Sequence, residues 1–356
     1  MSHASHGGWK FRLPGLVLLL LLACRTHPAE SRLRVPMVTD EVQAVLMLLG
    51  QLANGERPVE SDWQRLFSSE GYRRLKQREL SLDRPFEDSA FRAFVISDTL
   101  RTRTDALRRT LAAWMKVDPS AAAAHAFAYL SAAAVIHANV YPVIKPRTNS
   151  FVFEPRSNPA IFLYLDPAVS PAKLDNILRH ELHHIGVGSV CPGEVQDSTL
   201  PHPVRNALSW MGGFAEGRAM LAATGGPSIH PHQTSDSAER AIWNRDFAYI
   251  DRDLHRLEAF FFALLDERLT EADQSREGMR FISTDSVPQG PFYTVGWLMA
   301  ATVERQFGRQ RLVATLCDPL GFLSDYNAAA AMQSRTTASR LPAWSDSLLA
   351  RLGASR

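Results

Sequence analysis

Cysteine is scarce, with three in 356 residues, so the chain is no disulfide-built scaffold and must fold around an apolar core. Excess charge is also missing: 39 Lys and Arg face 37 Asp and Glu, which removes the electrostatic reason to expect a nucleic-acid partner. There is no internal repeat, no heptad run and, beyond an alanine-rich stretch at 121–136, no low-complexity segment, which sets aside solenoids and coiled coils. The apolar run Leu13 to Ala23 is too short for a comfortable transmembrane span. What is present is an apolar fraction of 46%, that of a globular protein long enough for one large domain or two ordinary ones.

Lys10 and Arg12 precede that apolar run and Cys24 ends it, the layout of a secretory signal. Leu21-Leu22-Ala23-Cys24 resembles a bacterial lipobox, whose cysteine is lipidated and becomes the mature N-terminus. The expectation is a signal peptide over 1–23, a tether over 24–37, and an exported lipoprotein held to a membrane through Cys24. Arg25 stands where an aspartate commonly retains lipoproteins in the inner membrane, so the outer membrane or cell surface is favoured. Removing Lys10 and Arg12 from the 39 basic residues leaves 37, matching the 37 acidic ones. Cys191 and Cys317 then remain, and outside the cytoplasm they either pair or stay buried and free.

A helical N-terminal region is expected over 38–137. Apolar residues recur at helical spacing from Val38 to Leu52, then over Ser61–Leu80, Pro85–Ile96, Thr102–Val117 and Ala121–Ile136. His125 and His137 sit in apolar surroundings there and read as structural. A second region, 138–350, begins with β-prone pieces at Val143-Ile144 and Phe151-Val152-Phe153, punctuated by prolines in the manner of edge strands. Ala160 to Leu165 reads as a buried strand. Ser170-Pro171 opens a helix for which Gly186 is the expected stop. Further helices are expected from Pro203 to Ala223, and over Ala238–Leu269, Pro291–Phe307, Gln310–Leu316 and near the C-terminus.

The chemistry concentrates in Arg179-His180-Glu181-Leu182-His183-His184-Ile185-Gly186. Residues four apart stack on one helix face, so His180 and His184 can present two imidazoles to one metal ion, with Glu181 beside them to polarise a water. This is the H-E-x-x-H arrangement, here mid-helix among apolar neighbours and after a buried strand. His183 points about a hundred degrees away from that face and reads as packing or support.

A catalytic zinc usually takes three protein ligands and keeps one position open. The metzincin pattern would need a histidine at position 190, which is valine, so that class is excluded. Glu216, in "GFAEGRA", lies on a helix face with Ser209, Gly212, Gly213, Ala219 and Ala223, small residues that let another helix approach closely. It is the first candidate for the third ligand, and His202 the second.

"HELHH" followed some thirty residues later by "GFAEGRA" resembles the gluzincin branch of zinc metallopeptidases. More narrowly, the chain resembles an uncharacterised bacterial family of zinc-dependent proteases, defined as a domain of unknown function, through "WQRLFSSEGYRRLKQRE" (63–79), the motif helix, "GFAEGRAM" and "GPFYTVGWLMAATVERQFG" (290–308). The resemblance implies an α+β, predominantly helical fold: a zincin-like domain with a small mixed sheet, a metal-binding helix and a helical C-terminal part. It also implies an edge strand that pairs with extended substrate, for which Asn149 to Phe153, with Asn149 and Phe151, is the candidate. The expected chemistry is peptide hydrolysis: Zn2+ on His180, His184 and Glu216 acidifies a water, Glu181 takes its proton and later returns it to the leaving amine. For the oxyanion the first candidate is Tyr293, then His255 and His202. Two other readings stay open: a zinc hydrolase of a non-peptide or cell-wall amide, and an inactive lipid-anchored binding or scaffold protein. The expected partner is a peptide or protein substrate; the oligomeric state is open.

Overall fold

Residues 32–191, 199–284, 286–336 and 340–353 are described in a computed structural model; the expected signal segment and Cys24 lie outside them. Among these residues the strands are β1 (Leu33–Arg34), β2 (Ile136–His137), β3 (Asn139–Val143), β4 (Phe151–Phe153) and β5 (Ala160–Tyr164), set among helices. The fold is α+β and predominantly helical. β1 pairs with β2 in parallel, and a mixed three-stranded sheet has the order β3-β5-β4, with β3 parallel and β4 antiparallel to the centre. β5 is central because its first four residues are apolar and buried, whereas β3 carries Pro142. Asn139 donates its N–H to Pro159 on the β5 side, and alternation along the strand turns the nitrogen of Pro142 outward, where no ladder bond is lost. Tyr141, Phe162 and Phe151 stack across the three strands at 4.9 and 5.1 Å, a ring ladder that fixes their register.

The apolar run and the H-E-x-x-H motif are joined as expected: Ser170 caps the helix Pro171–Val190 by accepting the N–H of Lys173, with Pro171 in its first turn. Leu174, Leu178, Leu182 and Ile185 form its buried stripe and join the core of the N-terminal helices. The expected stop at Gly186 is corrected, because the helix runs on to Val190. A Cβ at Gly186 would lie 2.2 Å from Leu130 Cδ1, so this glycine serves close packing rather than termination. Other boundaries move for local reasons. Ser61–Leu80 is two helices, broken where Ser69 caps the second by accepting from Tyr72. The alanine-rich helix stops at Phe127, and its expected end supplies β2 instead. The segment Ala238–Leu269 divides into Ser237–Phe247 and Ile250–Leu265, and a further helix lies at Glu271–Ile282.

A second core gathers the helices His202–Met211, Ala215–Thr224, Ile250–Leu265, Pro291–Phe307 and Pro319–Thr336. Here Ala215–Thr224 crosses Pro291–Phe307 so closely that a Cβ on Gly217 would come within 2.1 Å of the Trp297 nitrogen. Cys191 and Cys317 form a disulfide, which settles the pairing that composition leaves open. Arg32–Arg356 is one compact unit. No helix among the described residues is long and apolar enough to cross a membrane.

Candidate metal centre

The motif helix buries its leucine stripe in one core, which turns His180, Glu181 and His184 toward the second. Facing them is Ala215–Thr224, with Glu216 in its first turn. The two helices are tied again near the end of Ala215–Thr224, where Arg179, mid-way along the motif helix, donates to the Ala223 carbonyl while pairing with Asp175 at 2.5 Å.

His180 Nε2 and His184 Nε2 each lie 3.2 Å from Glu216 Oε2 and 3.1 Å from one another. Two imidazole nitrogens and a carboxylate oxygen thus crowd a single point, and they are the one group of three or more His, Cys, Asp or Glu residues among those described that could hold a metal. Ligands about 2.0–2.1 Å from a tetrahedral zinc stand about 3.3 Å apart. The donor set and its spacing therefore fit zinc.

Electrostatics alone makes the triad a coupled group. Burial works to raise the Glu216 carboxyl, but the charge of His184 and hydrogen bonds from both histidines hold it well below the usual carboxylate range. Burial works to lower His184, yet Glu216, with help from Glu181, lifts it to about 9. His183 points elsewhere: it is 1% exposed, and burial, reinforced by the neighbouring histidines, drives its pKa well down. It packs behind the site and bonds to the Tyr129 backbone.

Tyr293 comes into the same centre from Pro291–Phe307. Its ring stacks on His180 with centroids 6.1 Å apart and planes 7° from parallel, and its hydroxyl donates to Glu216. Burial, then the negative charges of Glu216 and Glu181, pushes that hydroxyl well above the ordinary tyrosine range, so it is a donor at neutral pH. The Nδ1 of His180 is buried without a hydrogen-bond partner, so the ring is oriented by Glu216 and His184 at Nε2 and by the stack on Tyr293.

Two cavities open beside His180. One of about 320 Å³ reaches Ile177 and Trp243, another of about 860 Å³ reaches Phe151 and Arg218, and both include His180, Glu181 and Tyr293. β4 is an edge of the sheet, and Ser150, Phe151 and Val152 border the larger cavity. The Asn149 side chain accepts from Lys145 Nζ at 2.8 Å and is not part of the lining.

The other histidine candidates are elsewhere. His202 is mostly exposed and lies 3.8 Å from Glu267, and His255 is an exposed residue bonded to the Asp251 carbonyl. Neither belongs to the triad or to either cavity. Sequence reasoning passed over Arg218, two positions after Glu216. Its buried guanidinium lies 3.7 Å over the Phe322 ring and donates to the Thr315 and Leu316 carbonyls, fixing the cleft wall beside the disulfide. An arginine inside an otherwise small-residue helix was the available signal.

Residues 63–335 match the sequence profile of the family described as "Putative zinc dependent peptidase" (DUF5700). The chain belongs to this family. The family is described as zinc dependent, in keeping with the donor set at the triad. No curated protein and no solved structure matches the chain.

Proposed function

We propose that this DUF5700 protein hydrolyses peptide bonds, with zinc held by His180, His184 and Glu216 and with Glu181 as general base. The observation that carries the reading is the convergence of the three ligand atoms, each within 3.2 Å of the others, in a cleft that Glu181 also lines. Bound zinc supplies a Lewis acid for the carbonyl and lowers the pKa of water. Glu181, next to His180 on the helix, takes the proton of the attacking water and later hands it to the leaving amine. Tyr293 donates its hydroxyl to Glu216 and so helps to hold the third ligand. β4 offers an unpaired edge along which extended substrate can lie.

The chain is read as an exported lipoprotein anchored through Cys24, and the Cys191–Cys317 disulfide supports a place outside the reducing cytoplasm. Elemental analysis of the purified mature protein is expected to give about one zinc per chain, lost in Glu216→Ala and in His184→Ala. Zinc retained by Glu216→Ala would remove Glu216 from the ligand set.

A further inference from the structure

Resting on that peptidase reading, we infer that the cavity walled by Ile177, Met220, Ile242, Trp243 and Tyr293 receives a large apolar side chain of the substrate beside the scissile bond, and that cleavage falls inside polypeptides rather than at their ends. The two cavities share His180, Glu181 and Tyr293, so the reacting bond sits at their junction with room for chain on both sides. At about 320 Å³ the smaller cavity is at the low end of the range of ligand pockets, suited to one side chain.

Its charges other than Glu181 are already paired. Lys173 binds Glu239 at 2.5 Å, and Asp246 binds Arg245 at 2.7 Å. Apart from the general base Glu181, no unmatched cation or anion is left among the described residues of this cavity to recognise a free chain end. His232 is likewise satisfied, through Gln289 at 2.6 Å and Ser235 at 3.1 Å. Besides the Asn176 amide, what remains to select an occupant is the apolar wall. Trp243 is held rigidly in that wall against the rings of His232, Phe247 and Trp297. Apolar burial then decides which residue binds.

The test uses a mixture of peptides blocked at both ends, digested by the zinc-loaded protein and read by mass spectrometry. Cuts within blocked peptides are expected, with Leu, Met or Phe favoured over Gly about tenfold or more at one flanking position. Peptide cleavage that needs a free end, or that ignores both flanking side chains, would overturn the inference and leave the peptidase reading standing. Binding is read separately, without turnover, in the Glu181→Gln protein. N-acetyl-phenylalanine amide should bind about tenfold tighter than N-acetyl-glycine amide, and Ile242→Asp should abolish that difference. Ile242 is 37% exposed, so its variant should keep the parent melting temperature. Equal affinities for the two amides, or a difference untouched by Ile242→Asp in a folded protein, would sink the subsite even if peptides are cut.

Discussion

At the scale of single residues, the site follows from a helical spacing and one carboxylate. His180 and His184 meet because four positions complete about one turn, and Glu216 closes the triangle from the opposite helix. Glu181 lines the cleft without belonging to that triangle, which separates chemistry from metal binding. Glu181→Gln is therefore expected to keep its zinc while losing about 10²- to 10⁴-fold in kcat; elemental analysis and peptide hydrolysis on the same sample check both halves. Tyr293 divides differently, since its ring orients His180 and its hydroxyl reaches Glu216. Tyr293→Phe keeps the stack and removes the hydrogen bond, so zinc affinity should fall about tenfold, measured by competition with a chelator. Unchanged affinity with a depressed kcat would put the hydroxyl on the oxyanion instead. The two histidines and both glutamates were legible in the sequence because period and small-residue patterning fix their faces. The stack on His180 was not, since nothing local ties Tyr293 to a helix so far away in the chain.

At the scale of elements, two glycines show what patterning misses. Gly186 looks like a stop, yet it sits within a helix against the flexible tip of Leu130, while Gly217 faces the backbone of the crossing helix. Backbone yields less readily than a leucine methyl. Gly217→Ala should thus cost more than Gly186→Ala, about 1–3 kcal/mol or above, and should also weaken zinc by displacing the neighbouring Glu216. Urea denaturation with a chelator titration would show it; equal costs for the two variants would refute the distinction. The loop before β4 carries a second testable element. Lys145 is 3% exposed, and burial lowers its pKa to about 8, partly offset by Glu79, while its ammonium holds the Arg147 carbonyl and Asn149. Between pH 8 and the ordinary lysine range the unfolded chain binds the proton and the folded one does not, so this group makes stability rise with pH there. Relative to Lys145→Met, the wild type should gain melting temperature from pH 8 to about 10. A constant difference would mean that Lys145 is charged in the folded state throughout that range.

At the scale of the whole molecule, the cleft is bounded by two cores joined across the motif helix. Composition announced a globular chain, and period announced most helices. The expected division near residue 138 rests on the change from helical to β-prone sequence, whereas the motif helix packs its leucine stripe with the helices that precede it. That packing is a property of the assembled core and has no local signature. The disulfide is another such long-range feature: it closes 126 residues of sequence, from the end of the motif helix to the segment before Pro319–Thr336. Constraining so long a loop in the unfolded chain is expected to contribute about 2–5 kcal/mol. Cys191→Ala with Cys317→Ala should lower the urea midpoint by the corresponding amount. The ligand histidines are held independently, by Leu178, Leu182 and Ile185 in the N-terminal core, and Glu216 by the crossing at Gly217. The double variant should therefore still bind about one zinc while tolerating less urea. Loss of zinc together with stability would show instead that the crosslink, rather than the two cores, sets the distance between His184 and Glu216.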